Sequence, residues 1–224
     1  MTMEARAVKI LDTSFITPDV KRFVVERPPG LHFEPGQGID ISINTPELRE
    51  EKRPFTFTNL PNARKLEFII KIYADHDGVT KKLGLMHAGE ELLLHDVFGA
   101  ISYKGPGFFF AGGAGVTPFI AILRDLEHKK ALRGNTLLCS NKGPLDVILD
   151  DELSKMLGKN FLKVFTRQNV IGFKERRIDR DMLITLVQDF DQYFYVCGPD
   201  AFVQDINGML VSLGAKAESL VFER

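Results

Sequence analysis

The sequence predicts two units: an antiparallel six-stranded β-barrel or sandwich over residues 1–103, then a doubly wound α/β domain with a parallel sheet over residues 104–224. Three observations predict this. Before about Tyr103, short β-rich runs are separated by Pro, Gly and Asn clusters with little helix between them. After "YKGPG", continuous apolar runs alternate with helical patterns, as in a sheet buried on both faces. Where the first of those runs ends, "FFFAGGAGVTPF" (residues 108–119) strips the side chains from a turn and opens a helix.

The strand runs of the first unit are "EARAVKILDT", "VKRFVVER", "GIDISIN", "RPFTFTN", "KLEFIIKIY" and "EELLLHDV". "RPPG", "EPGQG" and "NLPNARK" punctuate them as turns. "VTKKLGLMHAG", residues 79–89, is the helical candidate in this half. The crossing between the units falls near Lys104 to Gly107. Beyond it, "FFFAG", "NTLLCS", "NFLKVFT" and "QYFYVCG" are the predicted parallel strands. Between them, "TPFIAILRDLEHKKAL" shows a helical apolar face at Phe119, Ile120, Leu123 and Leu126. "DVILDDELSKML", "DRDMLITLVQ" and "PDAFVQDINGMLVSLG" are the remaining helices.

Charge and cysteine usage narrow the function. The formal net charge of −1 gives no global electrostatic pull toward nucleic acid or an anionic membrane. Two cysteines, Cys139 and Cys197, do not make a disulfide framework or hold an iron–sulfur cluster alone. No metal site is expected. "MTMEARAVKI" lacks the basic flank and apolar core of a signal peptide, and no run has the length of a membrane-spanning helix. The expectation is a soluble, cytoplasmic protein.

Three stretches carry candidate chemistry. Gly112, Gly113 and Gly115 stand at the carboxyl end of a predicted strand, where open α/β sheets bind ligands. Glycine there admits a positive φ and close approach of a ligand. Thr117 reads as an N-cap and Pro118 as the first helical residue, leaving amides aimed at an anion such as a pyrophosphate. The same letters also read as a merely tight strand–helix turn. In "RPFTFT", strand alternation puts Arg53 and Phe55 on one face and Thr56 on the other. Arg53 suits a bidentate phosphate contact, or a salt bridge on an exposed strand. In "DGVTKKL", Gly78 precedes a short helix with Val79 and Thr80 at its start, either a phosphate site or an ordinary helix start.

Together these residues resemble the ferredoxin–NADP reductase superfamily. "RPFT" is similar to its R-x-Y-[ST] flavin motif, "FEPGQ" to its F-x-P-G-Q strand start, and "GVTKKL" to its phosphate loop. "GGAGVTP" is similar to its nicotinamide-nucleotide loop and "CGP" (Cys197, Gly198, Pro199) to its late-strand motif. The five occur in the family's order and span nearly the whole chain.

The resemblance implies a flavoprotein that takes hydride from NAD(P)H onto FAD, in preference to FMN. Electrons would pass to a separate acceptor: a ferredoxin, a flavodoxin, an oxygenase component or free flavin. It further implies that the first unit is a flavin-binding barrel, that Arg53 holds the flavin pyrophosphate, that Pro54 is among the cofactor-binding residues, that Phe55 packs on the ring and that Thr56 bonds near its hydride-accepting atom. Ile70, Lys71 and Ile72 would line the flavin edge, and Gly78, Val79 and Thr80 its phosphates. Gly112, Gly113, Gly115 and Thr117 would hold the nicotinamide nucleotide, with Cys197, Gly198 and Pro199 beside the nicotinamide. Cys197 equally reads as a small buried hydrophobe, and Cys139 as core. Phe55 replaces the family's usual Tyr. Phe222 is the aromatic that would cover the flavin, although Glu223 and Arg224 follow it. Lys142 and Arg167 stand where a 2′-phosphate would need cations, tipping the nucleotide toward NADPH; both also read as solvated loop charges. Two rival functions stay open: a reductase that uses flavin as a substrate, and a non-catalytic nucleotide-binding subunit.

Overall fold

Alternation builds the first sheet. In the computed structural model, which describes residues 5–75, 77–99, 101–167 and 176–222, β1 (Arg6–Thr17) turns Val8 and Ile10 inward. In β2 (Val20–Glu26) the inward pair is Phe23 and Val25, and in β3 (Gly38–Ile43) the inward set is Ile39, Ile41 and Ile43. After the short β4 (Arg53–Thr56), β5 (Lys65–Lys71) buries Leu66, Phe68 and Ile70, and β6 (Glu91–Phe98) buries Leu92 and Leu94. Each set recurs at every second residue, so one face of every strand meets one shared core. The antiparallel order is β4-β3-β6-β1-β2-β5. A bridge between Phe57 and Phe68 then joins the chain just past β4 to β5, so the sheet curls back on itself. Stacking of Phe33 on Phe57, with ring centroids 3.9 Å apart, fills that seam.

α1 (Val79–Leu85) inserts Val79 and Leu83 into the barrel core. The sequence extends this helix to residue 89, but it stops at Leu85. Lys21 explains the stop: its ammonium donates to Gly84 O (3.0 Å) and Met86 O (2.6 Å), capping the helix end with a cation.

The second sheet is parallel throughout, in the order β11 (Leu220–Phe222), β10 (Tyr193–Cys197), β7 (Gly107–Gly112), β8 (Thr136–Asn141), β9 (Phe161–Phe165). The three phenylalanines of β7 divide between two cores. Phe109 packs with Phe119 and Leu123 of α2 (Thr117–His128) and Leu153 of α3 (Asp150–Leu157). Phe108 and Phe110 pack on the other face with Leu183 of α4 (Arg180–Leu186) and Leu210 of α5 (Asp200–Ser212). A strand buried on both faces needs a continuous apolar run.

Three expectations need correction. β11 is a fifth strand that the sequence did not mark; only three residues long, it has no measurable alternation. The helix expected from residue 146 begins at Asp150, because Leu149 takes a left-handed conformation (φ 53°) that breaks continuity with the turn before it. Thr117 is not an N-cap. A 3₁₀ turn, Gly113–Val116, already leads the chain into α2, so Thr117 is its first helical residue and its hydroxyl is released for another partner.

The two sheets share packing. Val20 and Ile69 of the barrel and Ile101 of the crossing belong to the same buried cluster as Phe109 and Phe119. Gly36, in "FEPGQ", lies so close to the crossing that a Cβ there would sit 1.9 Å from Ile101 O. Tyr195 pins the crossing to β10: its hydroxyl accepts from Lys104 N (2.9 Å) and Gly105 N (3.0 Å) and donates to Gly105 O (2.7 Å). Among the described residues, no helix is long and apolar enough to cross a membrane.

Candidate nucleotide and flavin cleft

The carboxyl ends of the parallel strands face the barrel across a cleft of about 560 Å³. Pro54, Phe55, Thr56, Ile70, Lys71 and Thr80 line it from the barrel side. Gly112, Gly113, Gly115, Thr117, Cys197, Gly198 and Pro199 line it from the parallel sheet. Segments far apart in the sequence thus converge on one ligand-sized space. Thr56 and Thr117 meet directly, with the Thr56 hydroxyl donating to that of Thr117 over 3.0 Å.

The glycines have separate reasons. Gly113 has φ +54° and nothing within 4 Å of where its Cβ would be, so it is a left-handed residue facing open space. Gly115 is packed: a Cβ there would stand 2.2 Å from Cys197 O and 2.6 Å from Gly198 N. The glycine loop and "CGP" therefore interlock backbone to backbone. Gly112 faces the ring of Phe202, 3.0 Å from its would-be Cβ.

Five expected site residues lie outside the cleft lining. Arg53 is exposed, donating to Lys52 O (2.7 Å) and pairing with Glu51 (3.2 Å). β4 is the least buried barrel strand, so its first residue projects away from the core. Val79 is buried in the barrel, and Gly78 and Ile72 flank the lining without joining it. Phe222 pairs through its backbone with Val196 in β11 and packs on the far core beside Phe194. Sheet pairing claims this aromatic; Glu223 and Arg224 lie outside the described residues.

Sequence reasoning missed two charged groups here. Arg124 of α2 reaches the barrel, bonding Thr58 O (2.8 Å), Glu67 (2.6 Å) and Glu152 (2.6 Å). Glu67 also accepts from Arg22 (2.6 Å) and from Thr58 (2.8 Å). Burial raises the Glu67 carboxyl, but Arg124 and these hydrogen bonds outweigh burial and hold it below the ordinary range. The Arg124 guanidinium loses by burial yet is held charged by Glu152 and Glu67. Asp19, in the β1–β2 turn, lines the cleft and touches Lys71 (3.4 Å) and Lys142 (3.2 Å) through one oxygen. Burial raises its carboxyl, while the two lysines prevail and lower it. Lys142 is therefore engaged across the cleft, and Arg167 is exposed beside it. The only available sequence signal was chemical: a lone acid in the tight turn "TPDV" and one arginine on an otherwise apolar helix face.

The wall beyond β8 is polar. Ser140, Asn141, Asp146 and Thr166 line it, and the Asn141 Oδ1 is buried with no protein partner among the described residues. A buried acceptor left open fits a ligand or a water. The cysteines differ. Burial, with Asp150 nearby, pushes the Cys139 thiol far up, whereas Cys197 lines the cleft at the end of β10.

Comparison with known proteins agrees with this layout. Residues 109–208 match the oxidoreductase NAD-binding domain family. A flavohemoprotein of Bacillus cereus is 29% identical over 212 residues, covering 85% of this chain and 52% of that protein. The chain spans about half the length of the curated relatives it matches first. Among solved structures, the FAD/NAD-binding domain of a nitric oxide dioxygenase from Vibrio cholerae superposes with TM-score 0.87 at 20% identity, covering 99% of this chain and 98% of that one. A ferredoxin NADP+ reductase from Neisseria gonorrhoeae gives 0.80 at 21% identity, covering 95% and 92%. The chain therefore has the barrel-plus-parallel-sheet fold of the ferredoxin reductase-like FAD/NAD-binding proteins, and its residues 109–208 match the oxidoreductase NAD-binding domain.

Proposed function

We propose that this chain is an NAD(P)H-driven flavoprotein reductase. Residues 1–103 would bind FAD and residues 104–224 the nicotinamide nucleotide, with electrons leaving to a separate acceptor. One observation carries the reading: the barrel motif and the glycine loop, read separately in the sequence, meet in one cleft through the Thr56–Thr117 hydrogen bond.

The residues fit both groups. Phe55 is half-buried and offers a flat apolar face to the cleft, with the Thr56 hydroxyl beside it. Lys71 and Thr80 supply a cation and a hydroxyl on the same wall. The open Gly113 and the orphaned Asn141 Oδ1 fit a nucleotide laid along the sheet ends. A bound flavin supplies two-electron acceptance and one-electron release. The chain's own part is to bind and orient: Thr56 and Thr117 hold the two walls in register, and the apolar faces of Phe55 and Ile70 keep water from the meeting point. The chain is similar in sequence to a flavohemoprotein and to the reductase component of a propane 2-monooxygenase, and shares its fold with a cytochrome P450 reductase, so the acceptor class we assign is a haem or oxygenase unit.

The test is the visible spectrum of the purified protein under anaerobic conditions, before and after NADH or NADPH. A yellow protein bleached by nucleotide supports the proposal. A colourless protein that neither binds added FAD nor oxidises nucleotide with ferricyanide refutes it. The engagement of Arg53 with Glu51 favours a second reading, in which flavin is a dissociable substrate. Flavin lost on dialysis but turned over when added back would select that one.

A further inference from the structure

Asp19 sits in a tight turn yet is held firmly. Its carbonyl accepts from Ile72 N (2.8 Å) and its carboxylate from the Thr17 hydroxyl (3.5 Å). One oxygen, Oδ2, meets Lys71 from its own barrel and Lys142 from the end of β8. The wall where β8 ends is where a doubly wound sheet takes the ribose of a dinucleotide, and there an extra 2′-phosphate needs a cation. Lys142 is the cation at that wall, and Asp19 already holds it from across the cleft. Asp146 adds a second carboxylate to the same wall, turned to accept from Gly143 N (2.8 Å). The lining charges Asp19, Asp146, Lys71 and Lys142 cancel.

Resting on the reductase reading above, we propose that Asp19 sets nucleotide choice: it occupies the Lys142 ammonium from the barrel side, so the cleft takes NADH in preference to NADPH. A ribose 2′-hydroxyl needs no cation and can bond the neutral or acidic groups of this wall. A 2′-phosphate brings up to two negative charges beside Asp19 and must compete for Lys142. Arg167, exposed with its amide bonded to Lys142 O (3.0 Å), leaves a second cation nearby, so the discrimination is severalfold.

The experiment compares affinities of 5′-AMP and 2′,5′-ADP, which differ only in the 2′-phosphate, by calorimetry at low salt, for the full chain and for Asp19→Asn, Lys142→Met and the double variant. These fragments report the adenosine end without needing turnover. The expected result is a wild-type preference for 5′-AMP that Asp19→Asn shifts toward 2′,5′-ADP by roughly 3- to 10-fold, the effect of one partly shielded charge. With Lys142→Met in the background, that shift should shrink to what direct repulsion by Asp19 leaves. A ratio unmoved by Asp19→Asn, a shift undiminished without Lys142, a wild type preferring 2′,5′-ADP, or no binding of either fragment each overturns the proposal. A chain that binds 5′-AMP as expected but fails the spectral test has lost the reductase reading alone.

Discussion

Thr56 donates a 3.0 Å hydrogen bond to Thr117, linking the last residue of β4 to the first residue of α2. Seven residues further along α2, Arg124 bonds Thr58 O, two residues past Thr56. Two parallel staples therefore tie the same two segments, one at the cleft and one behind it.

Thr117→Val removes the acceptor at the cleft staple while keeping the shape. Stability should fall by only about 1 kcal/mol. Reduction of bound flavin by nucleotide should slow by roughly 10-fold or more, because a small misalignment of reacting groups costs steeply. Stopped-flow absorbance beside a thermal melt checks both. A wild-type reduction rate would free this pair of any positioning role.

The two loop glycines should fail differently. Gly113→Val places a side chain in open space, costing about 1–2 kcal/mol for the left-handed backbone. It should leave flavin in place while weakening nucleotide binding strongly. Gly115→Ala drives a methyl group against Cys197 O, so it should lower the melting temperature and the yield of folded protein. Equal melting temperatures in the two variants would contradict this packing.

Arg124→Met strands Glu67 in the interface with only Arg22 as its cation. Removing one partner of a buried pair costs about 3–5 kcal/mol, and the remaining arginine places this case at the low end. Glu67 is held below its ordinary value of 4.5, so its pairing contributes stability above that value, and the contribution is lost as pH falls through the folded pKa. The melting-temperature gap between wild type and variant should therefore be wide at pH 7 and narrow toward about pH 4. A gap that stays constant or widens in acid would show that the loss is packing rather than charge.

Cys197 and Cys139 should separate in a thiol-labelling assay. Cys139 is buried away from the cleft with its thiolate strongly disfavoured, so it should stay unlabelled in the folded protein. Cys197 lines the cleft and should label slowly, with protection by bound nucleotide. Cys197→Ser should then slow flavin reduction without lowering the melting temperature. A variant that melts early but reduces at the wild-type rate would retire the residue to packing.

By itself the sequence determined the two sheets except for the edge strand β11, because their signals are local. Residues two apart in "VKRFVVE" or "GIDISI" meet the same core, and "FFFAG" serves two cores at once. It also marked short motifs whose residues line the cleft, since a glycine turn and an aromatic–threonine strand end are written within a few letters. Tertiary structure alone decided how those motifs stand to one another. Lys142 reaches Asp19 across 123 positions of chain, and Arg124 reaches Glu67 across 57; such pairs have no period to read. The same holds for the losses. Arg53 turns to Glu51 and Phe222 joins a three-residue edge strand because a side chain answers to its nearest partners in space, which only the folded chain supplies.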